Sequence, residues 1–477
     1  MKLKHLFLTE LVVGSLASCS DDGNGNGPDI PEMKQVDTYL SITAVANNKT
    51  VTKGNVTPGK DEVGTAQEDF INTLTAYVFY EDNGALATTK TVTAKDGQSI
   101  DKIEDIVVKV DAQDAGEVSN TKLVVFLLAN VKLESSPANL EDFKANCFFT
   151  GLEQYTYSGV HSTTGENRQY LPMSSEMLSV SNLIAGTAYH NWVEKNTDGN
   201  KITYVNGDGN VLTGNSGNWT AGKEYDYSNK IPLTRNVARI QLEELQANFT
   251  NNYEDATFTL TRVSVANASN ASKLYSESSF GLKKVLEKEG AYDQTNAFYR
   301  GHPVPDIDRA DYFIAAGKVL DGLKHDYQES IIVSNGKSIV FKGADSDEIT
   351  SGGTESTVEM PCFYVFEFNN YAIGQDKGKS GDVLDGGKTK DIYTTLIITG
   401  NWKNGSIEGE RNFRIPVRYA NTENAYGVER NNIYKIHATL TGEGTDNPDK
   451  NMLNACISFS VEVMPWKVIK QTETDVN

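Results

Sequence analysis

Leu123-Val124-Val125-Phe126-Leu127-Leu128-Ala129-Asn130 is apolar at every position but the last. A run this short and this apolar predicts a β-strand covered on both faces. Upstream, Leu74 to Tyr80 predicts another strand, closed by the turn residues Asp82-Asn83-Gly84. Further upstream, Thr38-Tyr39-Leu40-Ser41-Ile42-Thr43-Ala44-Val45 alternates, with Leu40, Ile42 and Ala44 on one side, and predicts a half-buried strand. Between these two lies a polar stretch from Asn47 to Glu68. It holds Lys49, Lys53, Lys60, Pro58 and several Gly, and reads as an exposed loop. Downstream, Ser136-Pro137 supplies an N-cap and a first-turn proline for a short helix over Leu140 and Phe143. The stretch from Asp198 to Ser228, rich in Gly, Asn and Tyr, reads as a long loop or hairpin.

A second half is expected after Ile231-Pro232-Leu233, opening with Arg235-Asn236-Val237-Ala238-Arg239-Ile240-Gln241-Leu242 as a strand. Further strands are expected over Phe258 to Val265, Ser330 to Phe341, Cys362 to Phe368, Tyr393 to Thr399, Phe413 to Val417 and Ile433 to Leu440. A breaker, Thr441-Gly442-Glu443-Gly444-Thr445-Asp446-Asn447-Pro448-Asp449, precedes the final strand Ile457-Ser458-Phe459-Ser460-Val461-Glu462-Val463. Many short strands separated by turns indicate a mainly β chain of two β-sandwich domains with a few short helices. No short-period repeat is evident.

The chain has 477 residues, with 40 Gly and 12 Pro, room for two to four domains with sizeable cores. Hydrophobic residues make up 38% and charged residues 23%, a globular balance. Lys plus Arg number 44 against 64 Asp plus Glu, a net charge of −20. Such a surface repels phosphate, so no nucleic-acid partner is expected. No stretch of 18 uninterrupted apolar residues exists, so no transmembrane helix is expected.

The N-terminus has the layout of an export signal. Lys2 and Lys4 form a basic start, Leu6 to Leu16 an apolar run interrupted by Thr9-Glu10, and Leu16-Ala17-Ser18-Cys19 a small-residue end. That end resembles a bacterial lipobox, with cleavage between Ser18 and Cys19 and a lipid on the Cys19 thiol. Ser20-Asp21-Asp22-Gly23-Asn24-Gly25-Asn26-Gly27-Pro28 then reads as a flexible tether. With Cys19 lipidated, Cys147, Cys362 and Cys456 remain, too few for a dense disulfide framework. A Cys362–Cys456 bridge and buried free thiols both stay open, the free thiols being the blander reading.

Catalytic signals are weak. His5, His161, His190, His302, His325 and His437 are scattered, without metal-ligand spacing. His437 reads as an ordinary sheet-face histidine. Asp306-Ile307-Asp308-Arg309-Ala310-Asp311 clusters carboxylates but lacks the Gly and distal Glu of an EF-hand loop, and Gly207-Asp208-Gly209 is weaker still. Nucleophile elbows and phosphate-binding loops are absent. No enzyme, metal or cofactor is therefore expected.

Several motifs, taken in order, resemble the Bacteroidetes fimbrillin family, and in particular the major subunit of short (minor) Porphyromonas-type fimbriae. They are the lipobox with its tether and the strand from Tyr39, Val125 to Asn130, Leu171-Pro172-Met173-Ser174, and Arg235-Asn236-Val237-Ala238-Arg239. The densest are Arg430-Asn431-Asn432-Ile433-Tyr434-Lys435-Ile436-His437 and Val461-Glu462-Val463-Met464-Pro465-Trp466-Lys467-Val468. The resemblance implies two tandem transthyretin-like Greek-key sandwiches. Residues 1–18 would be the signal, 19–36 the tether, 37–231 the N-terminal domain and 232–477 the C-terminal domain.

It further implies an outer-membrane lipoprotein precursor that becomes an extracellular fimbrium. A maturation protease would cut the loop after the first strand and remove Thr38 to Val45, with Leu40, Ile42 and Ala44. Residues 457–469 of another copy, with Ile457, Phe459, Val461 and Val463, would fill the opened groove. Partners would be other copies, accessory, tip and anchor subunits, the protease, and host or bacterial surface receptors. Family members are cut after Arg, yet the first Arg here is Arg168. The bond Lys53-Gly54 is the nearest equivalent, with Lys49 as an alternative. Two other roles fit the sequence: a tip or accessory adhesin, or a monomeric glycan-binding lipoprotein using Trp192, Trp219, Tyr225 and Tyr227.

Overall fold

The computed structural model describes residues 34–46, 62–63, 68–95, 98–131, 133, 136–146, 148–150, 152, 170–181, 183, 185–186, 203–205, 231–274, 298–303, 317–342, 354–369, 393–417, 427–448 and 456–467. The first half contains β1 (Lys34–Ala46), β2 (Glu62–Val63), β3 (Thr73–Tyr80), β4 (Leu86–Thr93), β5 (Lys102–Ala112), β6 (Leu123–Ala129) and α1 (Leu140–Asn146). β6 is buried along its whole length. Its alternate residues serve two cores, because side chains of a strand alternate between faces. Leu123, Val125, Leu127 and Ala129 join Leu40, Ile42, Ile103, Ile106 and Val108 inside the first sandwich. Val124, Phe126 and Leu128 point the other way. There α1 covers them: the Phe143 ring lies 4.9 Å from Phe126, 5.4 Å from Phe79 and 5.5 Å from Tyr77.

The helix starts later than its Ser136-Pro137 signal suggests. Asn139 caps it, its Oδ1 accepting the Asp142 N–H at 2.8 Å, while the Asp142 carboxylate accepts the Ala138 N–H at 2.9 Å. This reciprocal pair satisfies two donors at once, a local advantage the serine lacks.

Ile231–Arg235 still belongs to the first half, pairing with β1 and with Met173–Ser174. The chain changes sheets at Asn236, whose N–H donates to Pro172 O at 2.8 Å. Val237–Ala247 then becomes a central strand of the second half, between Asn432–Leu440 on one side and Cys362–Phe366 and Ser338–Lys342 on the other. The facing sheet runs Lys324–Ser334, Thr257–Ala266, Thr395–Asn404 and Ile407–Pro416. Trp402 is fully enclosed between the sheets, edge-on to Phe249 at 5.0 Å and Tyr253 at 5.6 Å. The single strand expected from Ser330 to Phe341 is two strands in different sheets, Lys324–Ser334 and Ser338–Lys342. Gly336 turns the chain between them at φ +71, where a Cβ would be strained.

The other face of the central strand carries charge. Arg239 is buried and donates to both Glu68 carboxylate oxygens, at 2.9 and 3.0 Å, and the Tyr364 hydroxyl donates to Glu68 at 2.5 Å. Arg235, fully buried, pairs with Asp69 and donates to Asn431 at 3.0 Å. Glu68 therefore does not lie in an exposed loop. It is 3% exposed, because a buried guanidinium needs a counter-charge. Farther along this face, His437 sits 3.3 Å from Glu243 and 3.5 Å from Glu244, with Lys435 3.6 Å from Glu243 and Gln241 donating to Glu243 at 2.7 Å. Contact with Glu243 raises the His437 pKa; burial opposes this and Glu244 reinforces it.

Two outcomes follow from these charges. Glu68→Gln leaves Arg239 buried without a full counter-charge and should cost about 3–5 kcal/mol in denaturant unfolding. Charged His437 stabilises the fold fully below its unfolded value of 6.5, and that contribution fades as pH rises through the raised folded value. Thermal melts from pH 5 to 9 should show this decline in the parent and lose it in His437→Gln.

Candidate functional site

β1 links two neighbours in its sheet, one along most of its length and the other at its C-terminal end. Along Lys34 to Thr43 it runs antiparallel to β5, and along Ala44 to Ala46 parallel to Ile231–Arg235. Leu40, Ile42 and Ala44, expected on one side of a strand, are each 0% exposed and lie in the first core. The expected half-buried strand is what forms: Thr38 and Ala46 extend the same enclosed face, while Asp37 is exposed and Tyr39 half-buried on the other. The Thr38 hydroxyl accepts the Gly186 N–H at 3.3 Å. β5 carries a bulge opposite Ser41: the register passes from Leu40↔Ile106 to Ile42↔Ile103. Asp105 adopts φ +52 there, and the Lys90 ammonium donates to its carbonyl at 2.9 Å. A strand seated in this slot must match the polarity of β1 and the kink of β5.

The final strand, Ile457–Lys467, is here called the tail. It pairs antiparallel with Asn432–Leu440, and at its far end Trp466 and Lys467 pair parallel with Glu62 and Val63 of β2. Ile457 lies opposite Leu440, Phe459 opposite Ala438, Val461 opposite Ile436 and Val463 opposite Tyr434. All four partners are buried. Ile457 is buried, and Phe459 and Val461 are half-buried against the second core. In the free chain the tail thus rests on its own half, with Asn432–Leu440 along its length and β2 only at its far end.

The segment entering β3 links these parts, and sequence reasoning missed it. Beyond the Glu68 and Asp69 pairs, the Arg235 guanidinium donates to Glu68 O at 3.2 Å, and Phe70 stacks on Tyr170 at 4.7 Å. Asn130 accepts the Asn72 N–H at 2.7 Å and donates to Phe70 O and Leu171 O at 2.8 Å each. Two arginines four apart, Arg235 and Arg239, flanking apolar Val237-Ala238, are the available signal: once buried they require acidic partners from elsewhere.

Cys362 and Cys456 carry free thiols. Ser18, Cys19, Lys49, Lys53, Gly54, Cys147, His161, His190, Trp192, Gly207-Asp208-Gly209, Trp219, Tyr225, Tyr227 and Asp306-Ile307-Asp308-Arg309-Ala310-Asp311 lie outside the described residues. Among the described residues no cluster of His, Cys, Asp and Glu is arranged to hold a metal. No described helix is long and apolar enough to cross a membrane.

A search of curated proteins gives no match. The chain resembles the crystal structure of a candidate cell adhesion protein from Parabacteroides distasonis at TM-score 0.53 and 19% identity, over 91% of this chain and 100% of that one. A second such protein from the same species superposes at TM-score 0.51 and 16% identity, over 91% of this chain and 98% of that one. These two likenesses establish a shared fold. The match of sequence spans the unit built above, from β1 to the last strand before the crossing at Asn236: residues 38–235 fit the family of the major fimbrial subunit protein FimA.

Proposed function

We propose that the chain is a structural subunit of cell-surface adhesive fimbriae that polymerises by strand donation. It is exported as a lipoprotein anchored at Cys19. Hydrolysis in the loop between β1 and β2, at Lys53-Gly54 or after Lys49, separates β1 from the rest. The tail of a second copy enters the slot that β1 leaves. The observation that carries this reading is that β1 is paired with two strands and seals one apolar face into the first core, yet precedes the Lys-bearing loop directly. The fit of residues 38–235 to a fimbrial subunit family supports it.

The driving force lies in the slot. Burying the four donor side chains, Ile457, Phe459, Val461 and Val463, contributes roughly 6–12 kcal/mol as an upper value. Association costs about 4–15 kcal/mol. Side chains alone leave little surplus. The backbone groups of β5 and of Ile231–Arg235, unpaired once β1 leaves, supply the rest by regaining a ladder. A head-to-tail contact of this kind does not close on itself and extends into a filament. Tip, anchor and accessory subunits, the protease and surface receptors are the remaining partners.

Deleting residues 457–477 should abolish filaments seen by electron microscopy while leaving a folded monomer. Phe459→Asp should act in the same direction, because a charge would enter an apolar slot. N-terminal sequencing of filament subunits should begin at Gly54 or Thr50. Filaments whose subunits begin at Cys19 would reject the maturation step.

A further inference from the structure

The geometry points to β2 as a latch on the tail, opened by the same cut that removes β1. The inference rests on the strand-donation reading above. Glu62 and Val63 pair with Trp466 and Lys467, the far end of the tail. They form the tail's second neighbour among the described strands, the first being Asn432–Leu440. Pairing this short has little stability of its own, and it persists only if the chain is held nearby.

The chain is held on both sides. Upstream, β1 is locked in the first core through Leu40, Ile42 and Ala44. Downstream, five residues after Val63, Glu68 is fastened to Arg239 and Tyr364, and Asp69 to Arg235. Both anchors are buried, and the downstream one sits on the central strand of the second half, next but one to the tail in its sheet. In the uncut chain, Glu62 and Val63 are therefore delivered to the tail at high effective concentration. Hydrolysis at Lys53-Gly54 leaves the Glu68 anchor in place and frees the upstream side. The short tether to Glu68 still keeps β2 near Trp466, but the two-residue pairing is no longer held from both ends and can fray from its loose upstream side. The tail then keeps only Asn432–Leu440 and can peel from its end. One proteolytic event thereby prepares both the acceptor slot and the donor strand.

The test is hydrogen exchange of the tail amides in the full-length monomer, with a site-specific protease sequence placed at Lys53-Gly54. Val63→Pro, which breaks the β2 ladder without touching the Glu68 anchor, should speed exchange over residues 458–467 by roughly tenfold or more in the uncut chain. Cutting the parent should do the same. A Val63→Cys, Lys467→Cys pair, at facing positions of neighbouring strands, should oxidise to a bridge that keeps the tail protected after cutting, with reduction restoring fast exchange. Tail exchange that is unchanged by both Val63→Pro and cutting would overturn the latch. So would a bridged chain whose tail exchanges as fast as the cut parent's. Filament counts on the tail-deleted chain report separately on strand donation. A latch that opens on cutting, with filaments that survive tail deletion, would keep the former and reject the latter.

Discussion

A paired β-strand cannot leave its sheet without exposing its partners' backbone donors and acceptors and one apolar stripe. That constraint governs the first half of this protein. β1 lies between β5 and Ile231–Arg235, with Leu40, Ile42 and Ala44 sealed into the core. Whatever removes it creates a site whose unmet demands are those of a missing strand, and only another strand of the right polarity can meet them. The tail offers a matching alternation, yet in the free chain it is occupied on its own half.

The two halves are joined by charge as much as by chain. Glu68 and Asp69, which belong to the entry into β3, are satisfied by Arg235 and Arg239 around the crossing into the second half. Ion pairs buried this deeply add little net stability compared with apolar contacts, but they are costly to break singly. They act as a register mark, fixing where the segment before β3 lies on the second sheet.

Much of this was legible beforehand. Alternation marked β1 and the tail, and an unbroken apolar run marked β6, because strand periodicity survives whatever the neighbours are. Nothing in the local pattern shows that the Asn130 side chain ties Phe70, Asn72 and Leu171 together, because those partners lie 41 to 60 positions away. Glu68 ends a polar, Lys-rich stretch whose local pattern signals exposure, while its burial depends on arginines some 170 positions later. From Ser330 to Phe341 the apolar residues outweigh Asn335-Gly336 in the local pattern, yet the turn there sends the two pieces to different sheets. The helix cap moved to Asn139 because the carboxylate of Asp142 completes a mutual pair there. Local pattern names strands; long-range partners decide which edges and which charges they meet.

The thiol of Cys362 has a quieter consequence. It is enclosed beside Arg239 and Glu68, and burial holds its pKa above the ordinary thiol range, so almost none of it is thiolate. Cys456 is likewise unbridged. Among the described residues the fold therefore owes nothing to a disulfide, and its packing is indifferent to whether these two thiols meet a reducing or an oxidising medium.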